Sequence, residues 1–153
     1  MTTDAGGEYL KNAVMTATPE QLQLMLYDGA IRFASQARDA LARADYEESC
    51  EKLIRAQNIV LEMRNGLRHE VNATLCSQLA SLYTFIYNRL VEANLKRSAG
   101  AIDEALKVLH HQRETWQLLI EKVKSERSKT VRRTPPVAAA SAPGVGLSLS
   151  IEG

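Results

Sequence analysis

The amino-acid sequence predicts an all-α protein: an antiparallel up-down-up-down four-helix bundle with a mobile N-terminal segment and a disordered C-terminal tail. Three observations predict it. Four amphipathic stretches follow one another, a capping signal precedes each, and no proline interrupts one internally. The connections between them run to roughly one to six residues, a length that sets successive helices antiparallel. With 153 residues and 45% hydrophobic content the chain buries one core. The expected organisation is a cover segment over 1–16, the bundle over 17–127 and a Pro/Ala/Gly-rich tail over 128–153.

The first helix is signalled by "TPEQ": Thr18 as N-cap, Pro19 at the first helical position and Gln21 placed to close a capping box. It is expected to run to about residue 43. Its core stripe reads Leu22, Leu26, Gly29, Phe33, Ala37 and Ala40, all within roughly 60° on a helical wheel. The second helix opens at Asp45, with Glu48 three residues on, and places Tyr46, Cys50, Leu53, Leu61 and Leu67 on one broad face before Gly66 ends it. The third opens at Asn72 and carries Leu75, Leu79, Leu82, Ile86, Leu90 and Ala93. The fourth, entered through "SAG", covers about 101–126 with Ile102, Leu106, Leu109, Trp116, Ile120 and Val123.

Charge and motifs exclude several classes. Residues 1–120 hold 13 basic against 15 acidic side chains, so the body lacks the basic face of a nucleic-acid-binding fold. "EKVKSERSKTVRR" holds six basic against two acidic residues, a pattern read as cations favoured near a helix C-terminus before a solvated tail. No run approaches the roughly 20 apolar residues of a membrane span, so no membrane insertion is expected. The opening "MTTDAGGEYLKNAV" has neither basic n-region nor apolar h-region, so a cytoplasmic protein with Cys50 and Cys76 reduced is expected. There is no Glu-x-x-His pair, phosphate loop, nucleophile elbow or CxxC. His110 and His111 are adjacent, hence about 100° apart on a helix and unable to chelate one ion. The chain is therefore read as neither an enzyme nor a metal or cofactor protein. Arg64 and Arg113, within apolar arcs, are read as snorkelling rather than as buried ion-pair partners.

What the sequence has in excess is apolar surface. On the first helix Leu24, Tyr27, Ile31 and Ala34 gather at about 120° to 200° from Leu22, where a surface helix should be polar. Ala56, Ile59 and Met63 widen the arc of the second helix, and Tyr83, Tyr87 and Val91 that of the third. The wheel thus puts Leu22, Leu26, Gly29 and Phe33 inward and Leu24, Tyr27 and Ile31 outward. The outward stripe is left for the N-terminal segment, with Tyr9, Leu10 and Val14, or for another chain laid in as a guest.

The same residues resemble a known family. "Tyr9-x-x-x-x-Val14" followed by "TATPEQLQLMLYDGAIRF" is similar to the N-terminal signature of the flagellar export chaperone family FliS, approximately Y-x(4)-V-x-T-A-S-P-x-x-L-x-x-M-L-Y-D-G-A-I. The likeness continues through "ALARADYEESCEKLIRAQNIVLEMRNGL", "LASLYTFIYNRLVEANLKRS" and "IDEALKVLHHQRETWQ", about residues 8–125 in all. Thr18 stands where the family usually has serine, an equivalent cap. The tail after Ser128 is absent from many members.

The resemblance implies a cytoplasmic bundle that binds the disordered C-terminal region of flagellin. Such a chaperone prevents premature polymerisation and delivers flagellin to the flagellar type III export gate. It also implies that the N-terminal segment occupies part of the guest surface when no guest is present. Wheels and matched motif together give the candidate partner-binding residues Tyr9, Val14, Leu24, Tyr27, Asp28, Ile31, Ile59, Met63, Tyr83, Tyr87 and Val91. The reading that competes with the chaperone is a regulatory or structural bundle that homodimerises through the outward stripe, and a homodimer of the free protein is a further expectation.

Overall fold

The computed structural model describes residues 4–133, with side chains from Gly6 to Thr130. The described chain is helical throughout: α1 (Asp4–Thr16), α2 (Pro19–Ala42), α3 (Tyr46–Asn65), α4 (Ala73–Lys96) and α5 (Ala99–Arg133). There are thus five helices where four were expected, because the N-terminal segment coils into one of its own.

Local chemistry sets the helix starts. The Thr18 hydroxyl accepts from the Gln21 N–H at 3.2 Å, and the Gln21 side chain accepts from the Thr18 N–H at 3.1 Å, which closes the capping box. Asp45 caps α3 by accepting from the Glu48 N–H, and Asn72 caps α4 by accepting from the Leu75 N–H at 3.0 Å. The Ser98 hydroxyl accepts from the Ala101 N–H at 3.1 Å at the start of α5. Gly66 ends α3 with φ −83°, so its freedom at positive φ goes unused. The left-handed positions fall instead on Ala44 (φ 59°) and Arg97 (φ 51°), in the α2–α3 and α4–α5 corners. Arg97 also lays its guanidinium over the Tyr46 ring, 3.7 Å from the centroid, and so ties the two corners together.

The helices that pack are α2 on α3, α3 on α4, α4 on α5 and α5 on α2, a closed ring. Contacts run in opposite senses along α2 and α5: Glu20 meets Trp116, Asp28 meets Arg113 and Arg38 meets Asp103. The core is built from Tyr27, Ala30, Ala34 and Ala37 of α2, Leu53, Ala56, Val60 and Met63 of α3, Tyr83, Ile86, Leu90 and Ala93 of α4, and Ala101, Ile102, Ala105 and Leu109 of α5.

On α2 the buried face keeps Gly29, Ala37 and Ala40 of the expected core stripe and extends from it through Ala30 and Ala34 to Tyr27. Tyr27, Ala30, Ala34 and Ala37 lie at about 60° to 140° on the wheel, between the leucine-bearing edges. The two stripes are shoulders of one broad arc whose middle is alanine. Leu22, Leu26 and Phe33 form one half-buried shoulder, and Leu24 and Ile31 the other. Alanine carries little hydropathy and drops out of a stripe read by large residues, yet it lets backbones approach closely. At Gly29 the approach is closer still: a Cβ there would lie 3.1 Å from Ile59 Cδ1 on α3.

Other core expectations also move. Tyr46, Leu61 and Leu75 are exposed, at 42%, 37% and 38%, because each lies toward the end of its helix or outside the ring's contact face. Ile102 and Leu109 are buried, whereas Leu106 and Trp116 pack on the core from its edge. Helix α5 continues to Arg133, past the expected boundary at 128, and residues 121–130 are exposed except Val123. The tail expected to be disordered falls, from 134 onward, outside the described residues. Cys50 and Cys76 are free thiols, and Cys76 is buried with its Sγ donating to the Arg68 carbonyl at 3.2 Å.

Candidate functional site

The candidate partner-binding residues divide into three depths. Tyr27, Met63 and Tyr83 are core residues at 2%, 3% and 2% exposure. Leu24, Asp28, Ile31, Ile59, Tyr87 and Val91 are half-buried, and Ile31, Ile59 and Tyr87 rest against the core. Tyr9 and Val14 of α1 are exposed, at 76% and 43%.

Tyr27 corrects the outward stripe. Its ring crosses the bundle from α2 to α4, where it meets Tyr83 at 6.4 Å between centroids and 52° between planes. The two hydroxyls are 2.6 Å apart, and Gln23 donates from Nε2 to the Tyr83 oxygen at 3.3 Å. A tyrosine at the margin of an apolar arc can turn its long ring inward, provided its hydroxyl finds a partner there. Burial raises both phenols above the ordinary tyrosine value despite these hydrogen bonds, and Tyr83 is further raised by its tyrosine neighbour. The pair therefore stays protonated and is a structural strut of the core.

Asp28 faces α5. Its carboxylate accepts from Arg113 Nε, and Arg113 Nη1 donates to Gln117 Oε1 at 2.9 Å. Arg113, read as snorkelling, is thus an interhelical ion-pair partner, while Arg64 is exposed. One turn nearer the end of the bundle, Trp116 donates from Nε1 to the Glu20 carbonyl at 2.8 Å, which fastens α5 to the first turn of α2.

Helix α1 supplies no core residue: Leu10 and Met15 are exposed at 53% and 73%, like Tyr9 and Val14. In this structure it touches the ring only weakly and keeps its large apolar side chains exposed. Exposed apolar residues that the wheels did not single out include Ile54 on α3, Phe85 and Leu95 on α4 and Leu118 and Leu119 on α5. A seven-residue spacing places Ile54 and Leu61 on one outer face of α3, and this was the signal available in sequence. Among the described residues no three metal-ligating side chains come together, and no helix is long and apolar enough to cross a membrane.

The model of the family described as flagellar protein FliS matches residues 2–123, which takes in α1–α4 and α5 as far as residue 123. The chain belongs to the FliS family. It is 36% identical over 119 residues to the flagellar secretion chaperone FliS of Bacillus subtilis, a match over 78% of this chain and 88% of the relative. To the protein of the same name from Salmonella typhimurium it is 34% identical over 121 residues, covering 78% and 90%. The fold is shared with a solved flagellar chaperone from bacteria, with a TM-score of 0.65 at 20% identity, over 80% of this chain and 99% of that one. FliS is a family of chaperones in flagellar protein transport and not of enzymes.

Proposed function

We propose that this chain is a cytoplasmic export chaperone for flagellin. It binds the disordered C-terminal region of flagellin, keeps it from polymerising early and hands it to the flagellar type III export gate. The observation that carries the reading is the FliS match over residues 2–123. The shape of the molecule supports it. In this reading α2–α5 form an up-down-up-down bundle that presents half-buried Leu24, Ile31, Ile59, Tyr87 and Val91 as a guest path around a fixed core. Residues 1–16, with Tyr9 and Val14, act as the movable cover, and Asp28 steadies the α2 side of the path through Arg113. Tyr27, Tyr83 and Met63 support the path from beneath.

A disordered guest must offset its ordering entropy, so it wraps a long surface, and apolar burial along that surface gives a negative heat-capacity change. Isothermal titration of the full chain with a flagellin C-terminal fragment of about 50 residues is expected to give a 1:1 complex with that sign. A chain that forms a stable homodimer and ignores the fragment overturns the reading in favour of the dimerising bundle.

A further inference from the structure

The seams that α5 makes with its neighbours are closed by interhelical ion pairs. Arg38 pairs with Asp103 at 2.9 Å and Arg113 with Asp28 on the α2 side, and Arg89 pairs with Glu104 at 3.3 Å on the α4 side. Among the described residues the α2–α3 seam has no such pair. It has instead a half-buried Phe33 ringed by three cations: Arg32 from α2 at 5.0 Å from the ring centroid, and Lys52 and Arg55 from α3 at 5.6 Å each. Among the described residues the one carboxylate within 4 Å of these cations is Glu51, which touches Arg55 at 3.9 Å from the same helix.

Stacking on the ring holds the three cationic heads side by side but neutralises none of them. Like charges so gathered raise the local potential and favour an anion, and a carboxylate matches the guanidinium fork in geometry as well as in sign. The seam is also continuous with the guest path. Ile59 lies one turn from Arg55 on the same face of α3 and meets α2 at Gly29.

We propose that Phe33 with Arg32, Lys52 and Arg55 is an anchor for a carboxylate side chain of the guest polypeptide, fixing the guest's register along the α2–α3 seam. The assignment rests on the flagellin reading above. It adds a specificity element: the guest segment crossing this seam carries Asp or Glu at the level of Phe33.

The test titrates the flagellin fragment into the wild-type full chain, into R32E/K52E/R55E, and into K107E/K122E/K124E, which makes the same change of net charge on exposed α5 positions. Reversal at the anchor is expected to weaken binding about tenfold or more and to flatten its salt dependence, with the α5 variant within about twofold of wild type. Should the reversal variant not fold by circular dichroism, R32Q/K52Q/R55Q takes its place. Replacing the fragment's acidic residues singly by Asn or Gln is expected to reproduce the loss at one position and to lower the salt slope there. Equal affinities and slopes for all three chains overturn the anchor and leave the flagellin reading standing. No binding to the wild-type chain overturns that reading and the anchor with it. Tighter binding of a DNA duplex of about 15 base pairs, lost in the anchor variant, overturns the assignment in favour of a nucleic-acid site.

Discussion

Removing either the Tyr27 or the Tyr83 hydroxyl should destabilise the core, because the two oxygens share one buried hydrogen bond. In either single phenylalanine variant the remaining hydroxyl loses its tyrosine partner and keeps only Gln23, which acts on both phenols. A buried hydroxyl that loses its main partner costs about 1 to 3 kcal/mol, and a chemical-denaturation cycle of both single variants and the double variant is expected to show the double costing less than the sum. The pair also sets a pH dependence. Both phenols are raised above 10 in the folded chain, so the unfolded chain loses its protons first. The contribution to stability is complete below about pH 10 and lost progressively as pH rises beyond it, and the loss is smaller in the double phenylalanine variant. Tyr27 also shows what sequence reasoning cannot see at this scale. Its wheel angle was right, but the direction in which a long ring leans at the margin of an arc depends on the partner it finds across the bundle.

At the scale of the element, α2 was legible at its start and only in part along its flank, where Gly29, Ala37 and Ala40 were expected inward and Ala34 was not. Thr18, Pro19 and Gln21 act within a few residues of one another, so their pattern alone fixes the capping box. The buried flank is a spine of Ala30, Ala34, Ala37 and Ala40, whose burial comes from neighbours on other helices that no single stretch records. The spine makes two predictions. Ala34→Leu is expected to cost about 1 to 3 kcal/mol by overpacking, measured by urea unfolding. Gly29→Ala is expected to stay within about 1 kcal/mol of wild type. Alanine's better helix propensity offsets the small retreat it asks of the Ile59 methyl, whereas Gly29→Val pushes α2 away from α3 and destabilises clearly. The extent of α5 was misjudged for a related reason. Its last turns have a basic composition without an apolar period, and such a stretch stays helical by propagation from the packed helix before it.

For the whole molecule, the stability of the ring is separable from α1. Because α1 leaves Tyr9, Leu10, Val14 and Met15 exposed and supplies no core residue, deleting residues 1–16 is expected to leave the midpoint of thermal unfolding within a few degrees of the full chain. The all-α class and the family were readable because periodicity, caps and a long motif agree along most of the chain. The division of the candidate residues into core, half-buried and exposed was not, since it is a property of the closed ring.

The single tryptophan of the chain gives that ring an intrinsic optical gauge. Trp116 donates to the carbonyl of Glu20 in the first turn of α2, three residues after the α1–α2 corner at Ala17. Its emission reports on one place only, the end of the bundle where α1 departs. Native fluorescence therefore distinguishes a guest or a reseated α1 that shields the indole from one that loosens the α2–α5 junction: the first shifts emission to the blue, the second to the red. The protein carries its own probe, unlabelled, at the joint between α1 and the ring.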